Sequence, residues 1–227
     1  GNVGDSRCIL VTKAETKEQS DDKPVEEGLA QLSVNDNNNN KVDTRALSID
    51  HNPDLPEEKK RIEKAGLTVT ADTFLEGETT TTIWKVQKSA CDKIAMSRAF
   101  GDFDYKENDE VRPDEQAIVC TPDIQVHQRD SASDMYLVLA CDGVWDVMSN
   151  EEVAQFVSDK ANDLRQEPEN AILSVPTVLP EVGDELLMKC LDLGSSDNMS
   201  VLIVAFPAAM INQHSDVPRT LNFAAEV

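Results

Sequence analysis

The chain has 227 residues, with 43 acidic and 21 basic side chains and a formal net charge of −22 at pH 7. This length suits a single domain with one sizeable hydrophobic core. The strong negative charge argues against nucleic acid and anionic membrane surfaces as partners, because both would repel it. No apolar run approaches the roughly 20 residues that a membrane-spanning helix needs. The sequence therefore argues against DNA-binding and membrane-embedded proteins.

The five cysteines are odd in number and far apart, and they include no C-x-x-C pair. This pattern argues against a zinc or redox site and favours reduced thiols. Reduced thiols make an intracellular location, cytoplasmic or nuclear, the expected one, and the N-terminus has no signal-peptide pattern. The chain begins without methionine beside a strand-like run, and we expect it to be cut from a longer protein.

Two segments rich in β-forming residues open the chain. Residues 8–11 form a short apolar run, and residues 45–50 carry apolar side chains before a polar turn, so both predict strands. Residues 14–43 between them are highly charged and include an asparagine run. Such a composition buries too little apolar surface to order itself. We interpret these residues as a disordered insertion in a β-hairpin.

The insertion is expected to carry no part of the hydrophobic core. Deleting residues 18–40 should therefore leave the rest of the chain folded, with an unchanged circular dichroism spectrum. Limited proteolysis of the intact chain should cut first within this segment, where an unpacked backbone is accessible to a protease. A protected insertion with cleavage elsewhere would contradict the assignment.

The next segment predicts a short helix. Asp54 and Glu57 have the spacing of a capping box, Ile62 and Ala65 offer a small apolar face, and Gly66 marks the C-terminal end. A threonine-rich stretch follows, and residues 83–96 come after it. The sequence does not decide whether these segments are helix or strand. Further on, a second capping-box pattern at Ser149 and Glu152 predicts another helix, and apolar spacing near residue 190 predicts a third.

Two continuous apolar runs, residues 136–141 and 200–206, predict fully buried strands. Asp142 follows the first run and Asp197 precedes the second. If the strands are antiparallel neighbours, both carboxylates lie at one edge of the sheet. Magnesium and manganese prefer oxygen ligands, so this pair could hold a divalent cation. The alternative is that both aspartates only form turns at strand ends.

Five segments, in order along the chain, resemble the motifs of the metal-dependent, type 2C protein serine/threonine phosphatases. The segments are residues 2–7 (NVGDSR), 47–53 (LSIDHNP), 97–106 (SRAFGDFDYK), 139–153 (LACDGVWDVMSNEEV) and 194–201 (GSSDNMSV). The resemblance implies that residues 1–206 are the C-terminal part of the catalytic domain and that 207–227 form a tail. The implied fold is α+β, a β-sandwich of two antiparallel sheets flanked by helices in four α-β-β-α layers, incomplete at the N-terminus.

The resemblance also implies an activity, the hydrolysis of phosphoserine and phosphothreonine in proteins. The family uses two Mg²⁺ or Mn²⁺ ions, with a third, weaker ion in some members. Asp142 and Asp197 match ligands of one ion, and Asp5 matches a residue that joins Asp142 at the weaker ion. The alternative that Asp5 is only a turn residue in the segment Gly-Asp-Ser stays open. Phosphorylated proteins are the implied partners, and we expect a monomer.

The chain departs from the family pattern in two places. The N-terminal motifs that supply the other ligands, such as Asp-Gly-His-Gly-Gly, are absent, so this chain alone is expected to be inactive. The flap residues around Gly66 and Lys85 also differ, which leaves substrate preference open. Arg98 and Asp102 are expected to form a buried ion pair or a cap, and His51 to be a hydrogen-bonded structural residue.

Two alternatives compete with the assignment to this phosphatase family. A pseudophosphatase or scaffold would keep the fold without catalysis, and the motifs before Gly1 in the full-length protein would decide between it and an enzyme. A haloacid dehalogenase-like phosphatase needs an aspartate nucleophile at position 140, where this chain has Ala140. The second alternative is therefore rejected.

Overall fold

The computed structural model describes residues 1–14, 41–76, 79–166 and 175–210. Within them, the strands are β1 (Arg7–Lys13), β2 (Val42–Ala46), β3 (Thr68–Glu76), β4 (Thr79–Gln87), β5 (Lys93–Ile94), β6 (Asp134–Ala140) and β7 (Val201–Ala205). The helices are α1 (Pro56–Lys64), α2 (Asp142–Trp145), α3 (Asn150–Gln166), α4 (Val175–Asp192) and α5 (Pro207–Met210). The insertion predicted over 14–43 lies, except at its ends, outside the described residues. Most of the tail predicted from residue 207 also lies outside them.

The larger sheet has four strands in the order β2-β1-β6-β7, and every neighbouring pair is antiparallel. Helices α3 and α4 pack on one of its faces. The side chains at this interface are almost completely buried; they include Ile9, Tyr136, Val138, Val157 and Leu186. A fully buried Val, Leu or Ile stabilises a fold by about 1.5–3 kcal/mol. This interface is therefore the main core of the molecule.

The opposite face of the larger sheet carries exposed apolar side chains. Leu139, Leu202 and Val204 are 37%, 57% and 38% exposed. The prediction that residues 136–141 and 200–206 are fully buried strands was therefore wrong for one face. Successive side chains of a strand point to opposite sides of the sheet, and here α3 and α4 cover one side. A continuous apolar run does not reveal which side is covered.

The smaller sheet has the strand order β3-β4-β5. Strands β3 and β4 form a long antiparallel hairpin that pairs Thr68 with Gln87 at its base, so the segment left open by the sequence is β-structure. Helix α1 packs beside it, and Ile62, Val86 and Ile118 are fully buried in a second core. The predicted class, α+β with two antiparallel sheets and flanking helices, is confirmed.

Strand β2 ends at Ala46, whereas the sequence predicted a strand over 45–50. Beyond Ala46 the Leu47 amide donates to the Cys8 carbonyl at 2.8 Å. The Cys8 amide then donates to the Ser48 hydroxyl at 2.9 Å. A side chain thus replaces the backbone carbonyl as acceptor, and regular pairing stops there.

The ends of two helices test the predicted caps. Helix α1 begins at Pro56 after Leu55, without a side-chain cap. The capping box predicted at Asp54 was therefore wrong. Proline suits the first helical position because it has no N–H to satisfy. The capping box before α3 is confirmed, because the Ser149 amide donates to Glu152 Oε2 at 2.8 Å and the Glu152 amide to Ser149 Oγ at 3.2 Å. The described helices include none that is both long and apolar enough to cross a membrane.

A buried ion-pair network joins α1 to the loop after β5. Glu58 is 3% exposed and accepts hydrogen bonds from Arg98 Nη2 and Arg61 Nη1, both at 2.8 Å, and from the Ser97 hydroxyl. The buried ion pair predicted for Arg98 is thus confirmed. Asp102 is instead exposed and makes no side-chain cap, so its predicted ion-pair or capping role was wrong. Burial by itself raises the pKa of Glu58, but these donors outweigh it and lower that pKa to about 2.

This network predicts a specific loss of stability in acid. Because the folded-state pKa of Glu58 lies below the ordinary 4.5, its stabilisation is complete above that pH and is lost as the pH falls toward 2. Denaturant unfolding should show Glu58→Gln destabilised by on the order of 2 kcal/mol at neutral pH, with the difference from the wild type shrinking in acid. The exposed Glu63, 4.0 Å from Lys59, provides the control. Equal acid sensitivity of Glu58→Gln and Glu63→Gln would contradict the prediction.

Candidate metal centre

The candidate site lies at one edge of the larger sheet. Ala140, the last residue of β6, pairs with Val201, the first residue of β7. Asp142 and Asp197 therefore flank the same edge, as the sequence predicted for antiparallel neighbours. Strand β1 begins at Arg7, which pairs with Ala140, and this register places Asp5 at the same edge.

Close contacts hold the loop before β7 against the start of α2. The Ser195 hydroxyl donates to the Gly143 carbonyl at 2.7 Å. The Ser200 amide donates to Cys141 Sγ at 3.3 Å. A methyl group at Gly143 would lie only 3.1 Å from Asp197 Cβ, so the absence of a side chain there permits this approach.

Each of the two main carboxylates accepts a local backbone hydrogen bond. Asp142 Oδ1 accepts from the Gly143 amide at 2.9 Å. Asp197 Oδ1 accepts from the Asn198 amide at 2.7 Å. Bonds of this kind restrict side-chain rotation and leave the second carboxylate oxygen for another partner.

The carboxylates at this edge influence one another electrostatically. Burial raises the pKa of Asp5 above its ordinary value, and the charges of Asp142, Asp50 and Asp197 raise it further, against a backbone hydrogen bond that lowers it. Burial likewise raises the pKa of Asp146, followed by the charges of Asp142, Asp5 and Asp197. Like charges disfavour each other's ionised form. The edge therefore concentrates negative charge.

Asp146 is a member of this cluster that the sequence analysis missed. It follows Asp142 by four residues, and Asp142 is the first residue of α2. Side chains four apart on a helix lie on one face. The Asp-x-x-x-Asp spacing within residues 142–146 was the signal that would have identified it.

These residues fit a hard divalent cation in their donor chemistry, since all are carboxylates. A cation would also relieve the repulsion that raises their pKa values. Among the described residues, no group of three or more His, Cys, Asp or Glu side chains lies close enough together to surround an ion. The edge thus forms an electrostatic cluster and not a closed coordination shell.

Arg7 is a basic residue beside this edge that connects several elements through its guanidinium. It binds the Asp50 carboxylate through Nη2 at 2.6 Å and donates to Asn150 Oδ1 at 2.8 Å. Its guanidinium also lies over the Trp145 ring, 5.1 Å from the centroid. Arg7 thereby ties the loop before α1 to the end of α2 and the beginning of α3.

Comparison with known proteins gives the family. The family model described as protein phosphatase 2C matches residues 1–199. This chain belongs to the protein phosphatase 2C family. It is 40% identical over 160 residues to protein phosphatase ppm-1.A of Caenorhabditis elegans, covering 70% of this chain and 28% of that protein. Human protein phosphatase 1A is 38% identical over 160 residues, covering 70% of this chain and 35% of that protein.

Solved structures agree with this assignment. A phosphatase from Toxoplasma gondii matches with a TM-score of 0.57 and 29% identity, covering 93% of this chain and 48% of that one. A serine-threonine phosphatase 2C from the same organism, at 23% identity and a TM-score of 0.53, shares the fold; the match covers 90% of this chain and 52% of that one. The chain thus spans about a third of those two curated relatives and about half of these solved chains.

The tight contact at Gly143 yields a testable consequence. In Gly143→Ala the new methyl would lie 2.9 Å from Met199 Cγ and 3.3 Å from the Asn198 carbonyl oxygen, so the loop that carries Asp197 must shift. We expect urea unfolding to show a loss of about 1–3 kcal/mol. In Gly183→Ala, within α4, the methyl would meet Val201 at an ordinary 3.5 Å, and stability should rise by up to about 1 kcal/mol. Equal stabilities of the two variants would show that the contact at Gly143 is loose.

Proposed function

We propose that the full-length protein is a protein serine/threonine phosphatase that hydrolyses phosphoserine and phosphothreonine with a metal-activated water. The observation that supports this most directly is the convergence of Asp142, Asp197 and Asp5 at one sheet edge, in a chain of the protein phosphatase 2C family. The substrates would be phosphorylated proteins.

Asp142 and Asp197 would hold one of two Mg²⁺ or Mn²⁺ ions, and Asp5 with Asp142 would hold a third, weaker one. Asp146, which directly follows the last residue of α2, would add negative charge beside the weaker site. When bound, such ions supply a nucleophilic water at neutral pH and polarise phosphoryl oxygens.

The chain's own contribution is to position negative charge. The Gly143 and Asn198 amides orient the two main carboxylates, and the contacts of Ser195 and Ser200 keep their two loops together. A preorganised set of ligands loses little entropy when an ion binds. Because Asp142, Asp197 and Asp5 would supply only part of the ligands of a two-ion site, we expect this chain by itself to be inactive.

Location and assembly are further parts of the proposal. All five cysteines lie within the described residues and are free thiols, which suits a reducing cytoplasmic or nuclear compartment. A net charge of −22 disfavours nucleic acid and anionic membranes as partners. We propose a monomer.

The alternative is a pseudophosphatase or scaffold that keeps the fold without catalysis. It would explain why the described residues hold no closed ligand set. It does not explain why several carboxylates that repel one another persist at this edge. Metal-dependent turnover of the full-length protein separates the two proposals.

The enzyme proposal predicts that, in the full-length protein, Asp142→Asn and Asp197→Asn each lower turnover at least about 100-fold. Asparagine keeps one oxygen but loses the charge that holds a hard cation. The double variant should be little worse than either single one, because the first loss already empties the shared site. Phosphopeptide turnover should be measured against Mn²⁺ concentration.

Thermal melts in chelator provide the second half of this test. The variants should melt at or above the wild-type temperature, because removing a negative charge relieves repulsion at the edge. Asp184, exposed on α4, provides the control substitution Asp184→Asn, with normal turnover. Near-normal turnover of the site variants at low Mn²⁺ would show that both aspartates are only turn residues.

A further inference from the structure

The turn that carries Asp5 is held by one side chain from a distant part of the sequence. Gly4 has a φ of 103°, in the region that favours glycine. Its amide donates to His51 Nδ1 at 3.1 Å, and its carbonyl accepts from the His51 amide at 3.0 Å. Both polar backbone groups of Gly4 are thus bound by His51.

These bonds define the state of the imidazole ring. A backbone amide only donates, so Nδ1 accepts and the ring proton lies on Nε2. Nε2 lies 3.2 Å from Asp123 Oδ2 and donates to it. His51 is 1% exposed, so protein groups rather than bulk water determine its orientation.

Asp123 is itself fixed from two directions. Its Oδ1 accepts from Arg98 Nη1 at 2.7 Å, and Arg98 is paired with the buried Glu58. Its backbone also exchanges two hydrogen bonds with Asn2, at 3.0 and 3.1 Å. The imidazole is therefore held between the ion-pair network at α1 and the Gly4 turn.

Asp5 follows Gly4 directly, and the pairing of Arg7 with Ala140 places it at the same sheet edge as Asp142. A change in the Gly4 turn would move the Asp5 carboxylate relative to the sheet edge. The Arg98 carbonyl oxygen also lies near Gly4, 3.5 Å from where a Cβ would stand. The turn is thus close to the Arg98 backbone and is hydrogen-bonded to His51.

We propose that His51 is a positioning residue, which through Nδ1 fixes the Gly4 turn and so directs the Asp5 carboxylate toward Asp142. This role rests on the proposed function, in which these carboxylates hold the weaker divalent ion. It goes beyond the structural role expected for His51, because the bond to Gly4 then contributes to metal affinity and not only to stability.

Two substitutions in the full-length protein separate the hydrogen bonds made by the two ring nitrogens. In His51→Asn the amide oxygen can occupy the place of Nδ1 and keep the bond to Gly4. In His51→Gln the amide nitrogen can occupy the place of Nε2 and keep the bond to Asp123, while the acceptor at Gly4 is lost. The Mn²⁺ concentration for half-maximal turnover should rise about tenfold in His51→Gln and stay within about twofold in His51→Asn.

His127 offers a matched control. Its Nε2 lies 3.1 Å from Oδ2 of the buried Asp134, so the same two atom types pair as in His51 and Asp123, but outside the bonds that hold the Gly4 turn. His127→Gln should leave the Mn²⁺ requirement unchanged. Asp5→Asn should raise it, and adding His51→Gln to Asp5→Asn should raise it little further, because both act through one carboxylate.

Two readouts do not depend on turnover. Mn²⁺ titration followed by electron paramagnetic resonance should show that His51→Gln, but not His51→Asn, lowers the affinity for one Mn²⁺ ion about tenfold. Amide hydrogen exchange should show the Gly4 amide exchanging at least about tenfold faster in His51→Gln only.

The outcomes separate the inference from the proposed function. If the wild type has no metal-dependent turnover, the proposed function fails. The Mn²⁺ titration and the hydrogen exchange of the Gly4 amide then still test the positioning role of His51. If Asp5→Asn raises the Mn²⁺ requirement and His51→Gln does not, the positioning role is overturned and the proposed function stands. Equal defects in His51→Asn and His51→Gln with a lowered melting temperature would also overturn it, leaving His51 a structural residue.

Discussion

Strand β6 pairs with β1 on one side and with β7 on the other, and both neighbours run antiparallel to it. In an antiparallel pair, the end of one strand lies beside the start of the next. The segment after β6 and the segments before β1 and β7 therefore meet at one edge. Asp142, Asp5 and Asp197 lie in these three segments, although they are far apart in the sequence.

Bringing like charges together costs free energy, so other interactions must hold the edge. Burial and mutual repulsion raise the pKa values of Asp5 and Asp146. The opposing contributions are local: backbone amides bind Asp142 and Asp197, and the core under β6 buries apolar side chains. An edge that is electrostatically unfavourable when empty is one that gains stability when a cation binds.

The sequence was informative where the chemistry depends on order along the chain. The aspartates at the strand ends could be placed at one edge from two apolar runs and an antiparallel arrangement, and the structure bears out that placement. The capping box at Ser149 was also recognised, because its bonds form within one turn. The partner of Glu58 could not be predicted, since Arg98 reaches α1 only through the tertiary fold.

Other features depended on contacts that the sequence does not record. The exposure of Leu202 follows from which face α4 covers, and the end of β2 follows from the Ser48 hydroxyl bonding to β1. Asp54 met the pattern of a cap, but Pro56 already suited the first helical position. Asp146 was missed because its four-residue spacing from Asp142 is informative only if a helix forms there, and α2 is only four residues long.

The exposed apolar face of the larger sheet bears on how the chain behaves in concentrated solution. Leu139, Leu202 and Val204 offer a surface through which two copies could adhere, and water gains entropy when such surfaces meet. The net charge of −22 acts against this, because chains of like charge repel at a distance. Salt screens that repulsion within roughly 10 Å at 0.1 M while leaving the apolar attraction intact. Colloidal stability of the isolated chain is thus a balance between a long-range and a short-range force, and ionic strength changes only the first.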